Sequence, residues 1–387
     1  MTTLRLPRAD GYLETVTLGE PRDWVRPTSP FRSRVAFAAA HVVADPFGDN
    51  TPGAPAVVDW ESTLRFRHHL FSHGLGVAEA MDTAQRGMGL DWAGAQELIR
   101  RSLDAMQDHP GAVMASGAGT DHLNPGPDIT IDDVIRAYEE QCEAVEAMGG
   151  RIILMASRAL AKAAKSPADY ERVYARILSQ VKQPVIIHWL GEMFDPALEG
   201  YWGNHDHMAA MDTALAVITA HADKVDGVKV SLLDDQKEIS MRRRLPRGVR
   251  MYTGDDFNYA ELIAGDEHGH SDALLGIFDP IAPAVGAALA ALSHNDLSTF
   301  HDILAPTVPL SRHIFKAPTR FYKTGVVFMA WLNGHQDHFV MVGGQQSTRS
   351  IQHFSELFRL ADKAGLLRDP EMAVARMKAL LAVHGVA

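Results

Sequence analysis

The sequence has 387 residues, 46% of them hydrophobic and 22% charged, and this length fits one large α/β barrel with additions. Its formal charge of −11 at pH 7 provides no basic stripe, which disfavours nucleic acid and anionic membranes as partners. The single cysteine, Cys142, excludes an internal disulfide, and no apolar run reaches the roughly 18 residues of a membrane span. Because the N-terminus also lacks the apolar core of a signal peptide, we expect a cytoplasmic protein.

Short apolar strands alternate with amphipathic helices along most of the chain, a pattern typical of parallel strands joined by crossover helices. Residues 1–33 are predicted as an N-terminal extension with a β-hairpin, 34–283 as the barrel, and 284–387 as a helical bundle packed on it. The predicted strands span 34–43, 76–81, 112–117, 151–157, 184–190, 227–233, 249–254 and 272–278. Eight such units predict an α/β fold of the (β/α)8, or TIM barrel, class. No G-x-G-x-x-G follows the first strand, so a dinucleotide-binding fold has no support.

Lys229 stands inside the sixth predicted strand, in the segment DGVKVSLLDD. A buried lysine is costly unless it is paired or neutral, and neutrality near pH 7 requires a pKa lower by about three units, or roughly 4 kcal/mol. In such barrels the chemistry gathers at the carboxyl ends of the strands, and a neutral amine there can attack a ketone to form a Schiff base. The alternative is a structural lysine paired with Asp234, Asp235 or Glu79.

Four further stretches place this lysine in a recognisable order. The strand GVKVSLLDD is followed by VRMYTGDD and then by DALLGIFDPIAP, while WESTLRFRHHLFSHGLGVAEAMDTAQRG precedes it and FKAPTRFYKTGVVFMAWLNG follows. This order resembles the dihydrodipicolinate synthase and N-acetylneuraminate lyase family. Strand six of that family carries Gly-(Ile/Val)-Lys, strand seven ends in Ser/Thr-Gly-Asp-Asp, and a Pro-x-x-x-x-Lys helix follows the barrel. The resemblance covers residues 34–335, and no single motif is identical.

The resemblance implies a class I aldolase or lyase that acts on a 2-oxo acid or keto-sugar acid. It implies no cofactor beyond a covalent lysine imine, and a homodimer or homotetramer. Lys229 matches the Schiff-base lysine, and His188 falls on the family's Tyr-Asn position after strand five. The remaining matches are predicted to bind substrate: Asp82, Thr83 and Ala84 in the carboxylate-holding loop, and Gly254 and Asp255 at the end of strand seven.

Strand four departs most from the family's pattern. Where the family has a tyrosine that relays protons to and from the lysine adduct, this chain has Arg158. An arginine stays protonated and cannot act as acid and base in turn. Either another group takes that role, with His188 the best candidate near neutral pH, or the chemistry differs. We expect Arg158 either to pair with Asp82 across the pocket or to clamp a substrate carboxylate.

Histidine-rich loops support a different hypothesis. The long loop after strand five carries His205 and His207, which with His188 and Glu192 form a conceivable site for a divalent metal. That hypothesis predicts a metal-dependent TIM-barrel hydrolase or isomerase, whereas the main hypothesis assigns no metal. The same loop contains Tyr201 and Trp202, a mixture that suits an ordered lid. A third hypothesis, prompted by the missing tyrosine, is a barrel that binds a ligand without catalysis.

Overall fold

The computed structural model describes residues 2–386 and begins with an antiparallel hairpin of β1 (Thr3–Pro7) and β2 (Leu13–Thr17). The hairpin is attached to the far end of the chain. Arg359 donates to a carboxylate oxygen of Glu14 at 3.0 Å and to the carbonyl of Pro7 at 3.0 Å. The predicted hairpin therefore exists, and the C-terminal helices hold it in place.

Eight parallel strands then close into a barrel in which each strand pairs with the next along the chain and the last pairs with the first. The predicted (β/α)8 fold class is confirmed, and every barrel strand overlaps one of the predicted strands. The barrel strands are β3 (Ala36–Ala39), β4 (Gly76–Glu79), β5 (Met114–Ala118), β6 (Arg151–Leu154), β7 (Val185–Leu190), β8 (Val225–Ser231), β9 (Arg250–Thr253) and β10 (Asp272–Leu275).

Helices surround the barrel and continue past it as the predicted C-terminal helical region. Many begin at a side-chain cap; Asp91, for example, accepts from the amide of Gly94 at 2.8 Å. Among the described residues no helix is long and apolar enough to cross a membrane. The helices are α1 (Trp60–Ser72), α2 (Trp92–Met106), α3 (Ile131–Ala147), α4 (Arg158–Ala163), α5 (Pro167–Leu178), α6 (His207–Ala220), α7 (Asp235–Arg244), α8 (Tyr259–Ala264), α9 (Ala282–Ser293), α10 (Leu297–Leu304), α11 (Val308–Ile314), α12 (Tyr322–Leu332), α13 (Ile351–Lys363) and α14 (Pro370–Val383).

The interior of the barrel is a separate apolar cluster, distinct from the core between the strands and the helices. Val228 and Val230 of β8 belong to the outer core, whereas Tyr252 of β9 belongs to the inner cluster. A Cβ atom on Gly227 would lie 2.6 Å from the ring of Tyr252, so Gly227 faces inward. Because side chains alternate along a strand, Lys229 faces inward as well.

Candidate active site

A cavity of about 140 Å³ opens at the carboxyl ends of β4 to β7. Asp82, Arg158 and His188, three of the predicted site residues, line it together. The complete lining is Asp82, Arg86, Gly87, Gly119, Thr120, Asp121, Leu123, Pro125, Met155, Ala156, Arg158, Ala159, His188, Leu190, Asp195 and Leu198. The cavity therefore occupies the position at which TIM-barrel enzymes bind their substrates.

Lys229 lies next to this cavity, paired with His188 in the ladder between β8 and β7. Its side chain is buried, with 7% exposed, and it runs along Gly254 at the end of β9. A Cβ atom at position 254 would lie 2.9 Å from the Cε atom of Lys229 and 2.3 Å from the Oγ atom of Ser231. The absence of a side chain at Gly254 thus makes the space that the lysine occupies.

The environment of Lys229 shifts its equilibrium toward the neutral amine. Burial lowers the pKa of Lys229, and the carboxylates of Asp82 and Asp256 oppose that shift. Within residues 2–386 its Nζ atom has no carboxylate oxygen within the 4.0 Å of a salt bridge. The amine is therefore not held by a single anion.

The three carboxylates considered as structural partners of Lys229 are engaged elsewhere. Glu79 forms a fully buried ion pair with Arg67 at 2.8 Å. Asp234 caps α7 and pairs with Lys237 at 3.0 Å, and Asp235 accepts from the side chain of Gln236 at 3.3 Å. The structural alternative that sequence analysis left open is thus not what the structure contains.

The two aspartates after β9 have different surroundings. Asp255, the predicted site residue, accepts from the amides of Phe257 at 2.8 Å and Asn258 at 3.1 Å, so its carboxylate closes the turn before α8. Asp256 accepts from the amide of Ile277 at 2.9 Å. Burial raises the pKa of Asp256, and the nearby Lys229 partly opposes that rise. Sequence analysis missed Asp256, although the Gly-Asp-Asp motif contains both residues.

The loop after β4 places the hydroxyl of Thr83 against the C-terminal helices. Asp82, Thr83 and Ala84 form one 3₁₀ turn; Thr83 and Ala84 are buried, and only Asp82 lines the cavity. The Oγ1 atom of Thr83 lies 2.8 Å from the hydroxyl of Tyr322, the first residue of α12. Tyr322 was missed because it lies in a helix whose apolar run gives no sign of which residue faces the barrel.

One of the two expectations for Arg158, an ion pair with Asp82, is wrong. Arg158 forms an ion pair with Asp195, from the loop after β7, rather than with Asp82. Burial, together with the nearby Lys229, holds the pKa of His188 well below its usual value, so its imidazole is neutral. Burial also lowers the pKa of Lys323, beside Tyr322, to about 8.

The histidine loop does not form the metal site that was considered. His207 contacts Glu192 at 3.1 Å and His205 contacts Glu199 at 3.4 Å, whereas His188 lies inside the barrel. No group of three potential ligands able to hold a metal ion occurs in the described part of the chain. The loop therefore uses these histidines in separate contacts with carboxylates.

Comparison with solved structures finds the same architecture in dihydrodipicolinate synthases. The enzyme from Acinetobacter baumannii, solved as a complex with pyruvate, has a TM-score of 0.64 at 15% identity and covers 87% of this chain and 100% of its own. The enzyme from Thermotoga maritima has a TM-score of 0.64 at 14% identity, with 87% and 100% covered. The enzyme from Aquifex aeolicus has a TM-score of 0.61 at 11% identity, with 91% and 98% covered. The TM-scores and coverage show a shared fold, as the resemblance predicted.

Sequence comparison gives the family. No curated protein matches the sequence. Residues 4–386 match the profile of the family described as Protein of unknown function (DUF993), and the chain belongs to that family.

Proposed function

We propose that this protein is a Schiff-base-forming class I aldolase or lyase that acts on a 2-oxo acid or a related keto-sugar acid. The observation that carries the proposal is Lys229, a buried lysine that faces the barrel interior beside the mouth cavity. Desolvation favours its neutral amine, and a neutral amine is a nucleophile toward a ketone. The shared fold with dihydrodipicolinate synthases, one of them solved with pyruvate, supports this class of substrate.

The amine of Lys229 would condense with the oxo group, and the resulting imine would act as an electron sink while a C–C bond is broken or formed. No separate cofactor is needed for this chemistry. In the proposal, the backbone of the loop that contains Asp82 and Thr83 holds the substrate carboxylate. Asp256, which acts electrostatically on Lys229, would balance the positive charge of the imine once it takes up a proton.

The outer part of the cavity selects the rest of the substrate. The side chain of Arg158 is 41% exposed, so its guanidinium is available to an anionic substituent that displaces Asp195. His188 has a strongly lowered pKa and is a weak base, and we assign it a hydrogen bond to the adduct rather than proton storage. Gly254 leaves space for Lys229 at the end of β9, and the carboxylate of Asp255 closes the turn that follows the strand.

Borohydride trapping tests the assignment of Lys229. The protein is incubated with pyruvate and borohydride and then digested, and the peptides are analysed by mass spectrometry. We expect one reduced pyruvate adduct on the peptide with Lys229. The adduct should be absent from Lys229→Met and retained in the control Lys237→Met, which changes a half-buried lysine just after the same strand.

Two results would contradict the proposal in different ways. Failure to trap any lysine across a panel of 2-oxo acids would exclude Schiff-base chemistry on these substrates. An adduct on Lys323, the buried lysine with a pKa of about 8, would retain the chemistry but overturn the assignment of Lys229.

A further inference from the structure

Tyr322 is fixed above the barrel mouth by aromatic packing. Its ring stacks on Phe315 with centroids 4.4 Å apart at 17°, and it meets Phe194 edge-on at 6.0 Å. A Cβ atom on Gly276, just after β10, would lie 3.1 Å from the Cε2 atom of the tyrosine. The ring therefore covers the end of the last barrel strand, and its hydroxyl has a defined direction.

That hydroxyl points to the proposed substrate loop. Its partner at 2.8 Å is the hydroxyl of Thr83, and both residues are buried, at 4% and 1% exposure. Asp82 and Asp256 act electrostatically on Tyr322, as they do on Lys229. The phenol and the amine thus share the same two carboxylates at the mouth of the barrel.

Imine formation at Lys229 needs a group that transfers protons between the amine and the departing oxygen. Condensation of an amine with an oxo acid forms a C=N bond, breaks the C=O bond and two N–H bonds, and releases water. Both protons pass from nitrogen to the departing oxygen. The hydroxyl of Thr83 can transfer each of them by accepting one proton while it donates another, so its own proton count is unchanged, and its hydrogen bond to Tyr322 orients it.

Two other groups of the cavity, Arg158 and His188, are poorly suited to this transfer. Arg158 stays protonated, and its guanidinium is paired with Asp195. The imidazole of His188 is a weak base because burial lowers its pKa. Burial raises the pKa of Tyr322 well above its usual value, so the phenol keeps its proton and can donate a hydrogen bond to the hydroxyl of Thr83.

We propose that Tyr322 orients the hydroxyl of Thr83, which transfers protons during imine formation at Lys229, and that the pair so serves in place of the absent strand-four tyrosine. This inference rests on the proposed function. Because Tyr322 acts through Thr83, it is a positioning residue for the reaction, supplied by a helix outside the barrel.

A time-resolved trapping experiment tests the relay. Enzyme and pyruvate are mixed, adduct is quenched with borohydride at increasing times, and its amount on Lys229 is measured. Because acid–base groups typically contribute about 10²–10⁴-fold, we expect Tyr322→Phe to slow adduct formation by about 100-fold. The plateau should be unchanged, since a relay alters rates and not the equilibrium.

Two further variants make the result specific. Thr83→Val removes the other hydroxyl of the pair and should slow the reaction similarly, with little additional loss in the double variant. Tyr259→Phe is the matched control, because Tyr259 is also buried and bonded to a threonine hydroxyl, that of Thr307 at 2.5 Å. We expect the rate of this control to equal that of the wild type.

The outcomes separate the two proposals. If the wild type forms the adduct and Tyr322→Phe forms it equally fast, the relay is overturned while the aldolase stands. If rate and plateau fall together, Tyr322 has a structural role and the relay is again overturned. If the wild type forms no adduct with any 2-oxo acid, both proposals fail.

Discussion

Replacing Gly254 by alanine tests whether the end of β9 must lack a side chain for Lys229 to occupy its position. The added Cβ atom would lie 2.3 Å from the Oγ atom of Ser231, 2.6 Å from the carbonyl oxygen of Val230 and 2.9 Å from the Cε atom of Lys229. The serine hydroxyl can rotate away. The carbonyl cannot, because it accepts the amide of Gly254 itself at 2.9 Å in the strand ladder.

The expected cost follows from these contacts. Overpacking of a well-packed interior typically costs about 1–3 kcal/mol, and a backbone contact places Gly254→Ala in the upper part of that range. The displaced lysine should also form the pyruvate adduct more slowly. Both effects are measurable, the first as the free energy of unfolding in urea and the second by borohydride trapping.

Gly126→Ala is the matched control. A Cβ atom at this position would have no atom within 4 Å, and the backbone there is not in the left-handed region. Its free energy of unfolding should stay within about 0.5 kcal/mol of the wild type or rise slightly. If Gly254→Ala proved as stable as this control and trapped pyruvate at the wild-type rate, the packing described around Lys229 would be refuted.

Two further predictions concern buried charge. Arg67→Met leaves Glu79 without its partner at a site where both side chains are fully buried, and we expect a loss of about 3–5 kcal/mol in the free energy of unfolding. Arg100→Met, which removes an exposed pair with Glu97, should cost about 0–1 kcal/mol, and equal effects of the two changes would contradict the argument. Acid should also destabilise the fold. Burial lowers the pKa of His69 to about 3 and of His73 to about 4, both from 6.5, so the unfolded chain binds more protons below pH 6.5. The two groups therefore cost no stability above pH 6.5, and stability is lost as the pH falls from 6.5 toward 4 for His73 and toward 3 for His69. Urea unfolding across this range measures it, and stability that did not fall toward acid pH would oppose it.

Periodicity accounts for what the sequence could predict. The barrel strands follow from the regular alternation of apolar strands with helices. The inward direction of Lys229 follows from the alternation of side chains along β8, because a shift by one residue would turn every side chain of the strand to the opposite face. Periodicity could not decide between Asp255 and Asp256, because both follow the strand and the turn orients them. Nor could it find Tyr322, whose hydroxyl meets that of Thr83 across 239 residues of sequence.

The loop after β7 is a second case in which the sequence pattern could not predict where side chains pack. Its Tyr201 and Trp202 are expected from composition to form a lid over a ligand, yet both are buried, and Trp202 stacks on Tyr174 of α5 with centroids 4.6 Å apart. The loop is ordered as expected, but its aromatic residues pack against a helix. Only Asp195 and Leu198 of this loop line the cavity.

This packing links the two departures of the chain from the family it resembles, namely the arginine after strand four and the long loop after strand five. The hydroxyl of Tyr201 accepts the amide of Ser157 at 3.1 Å, and Ser157 caps the helix that begins with Arg158. Asp195 of the same loop then pairs with the guanidinium. The loop thus fixes both the backbone and the charge of the residue that replaces the tyrosine. Under the proposed function, an anionic substrate group would compete with Asp195 for Arg158, and the loop would set the strength of that competition.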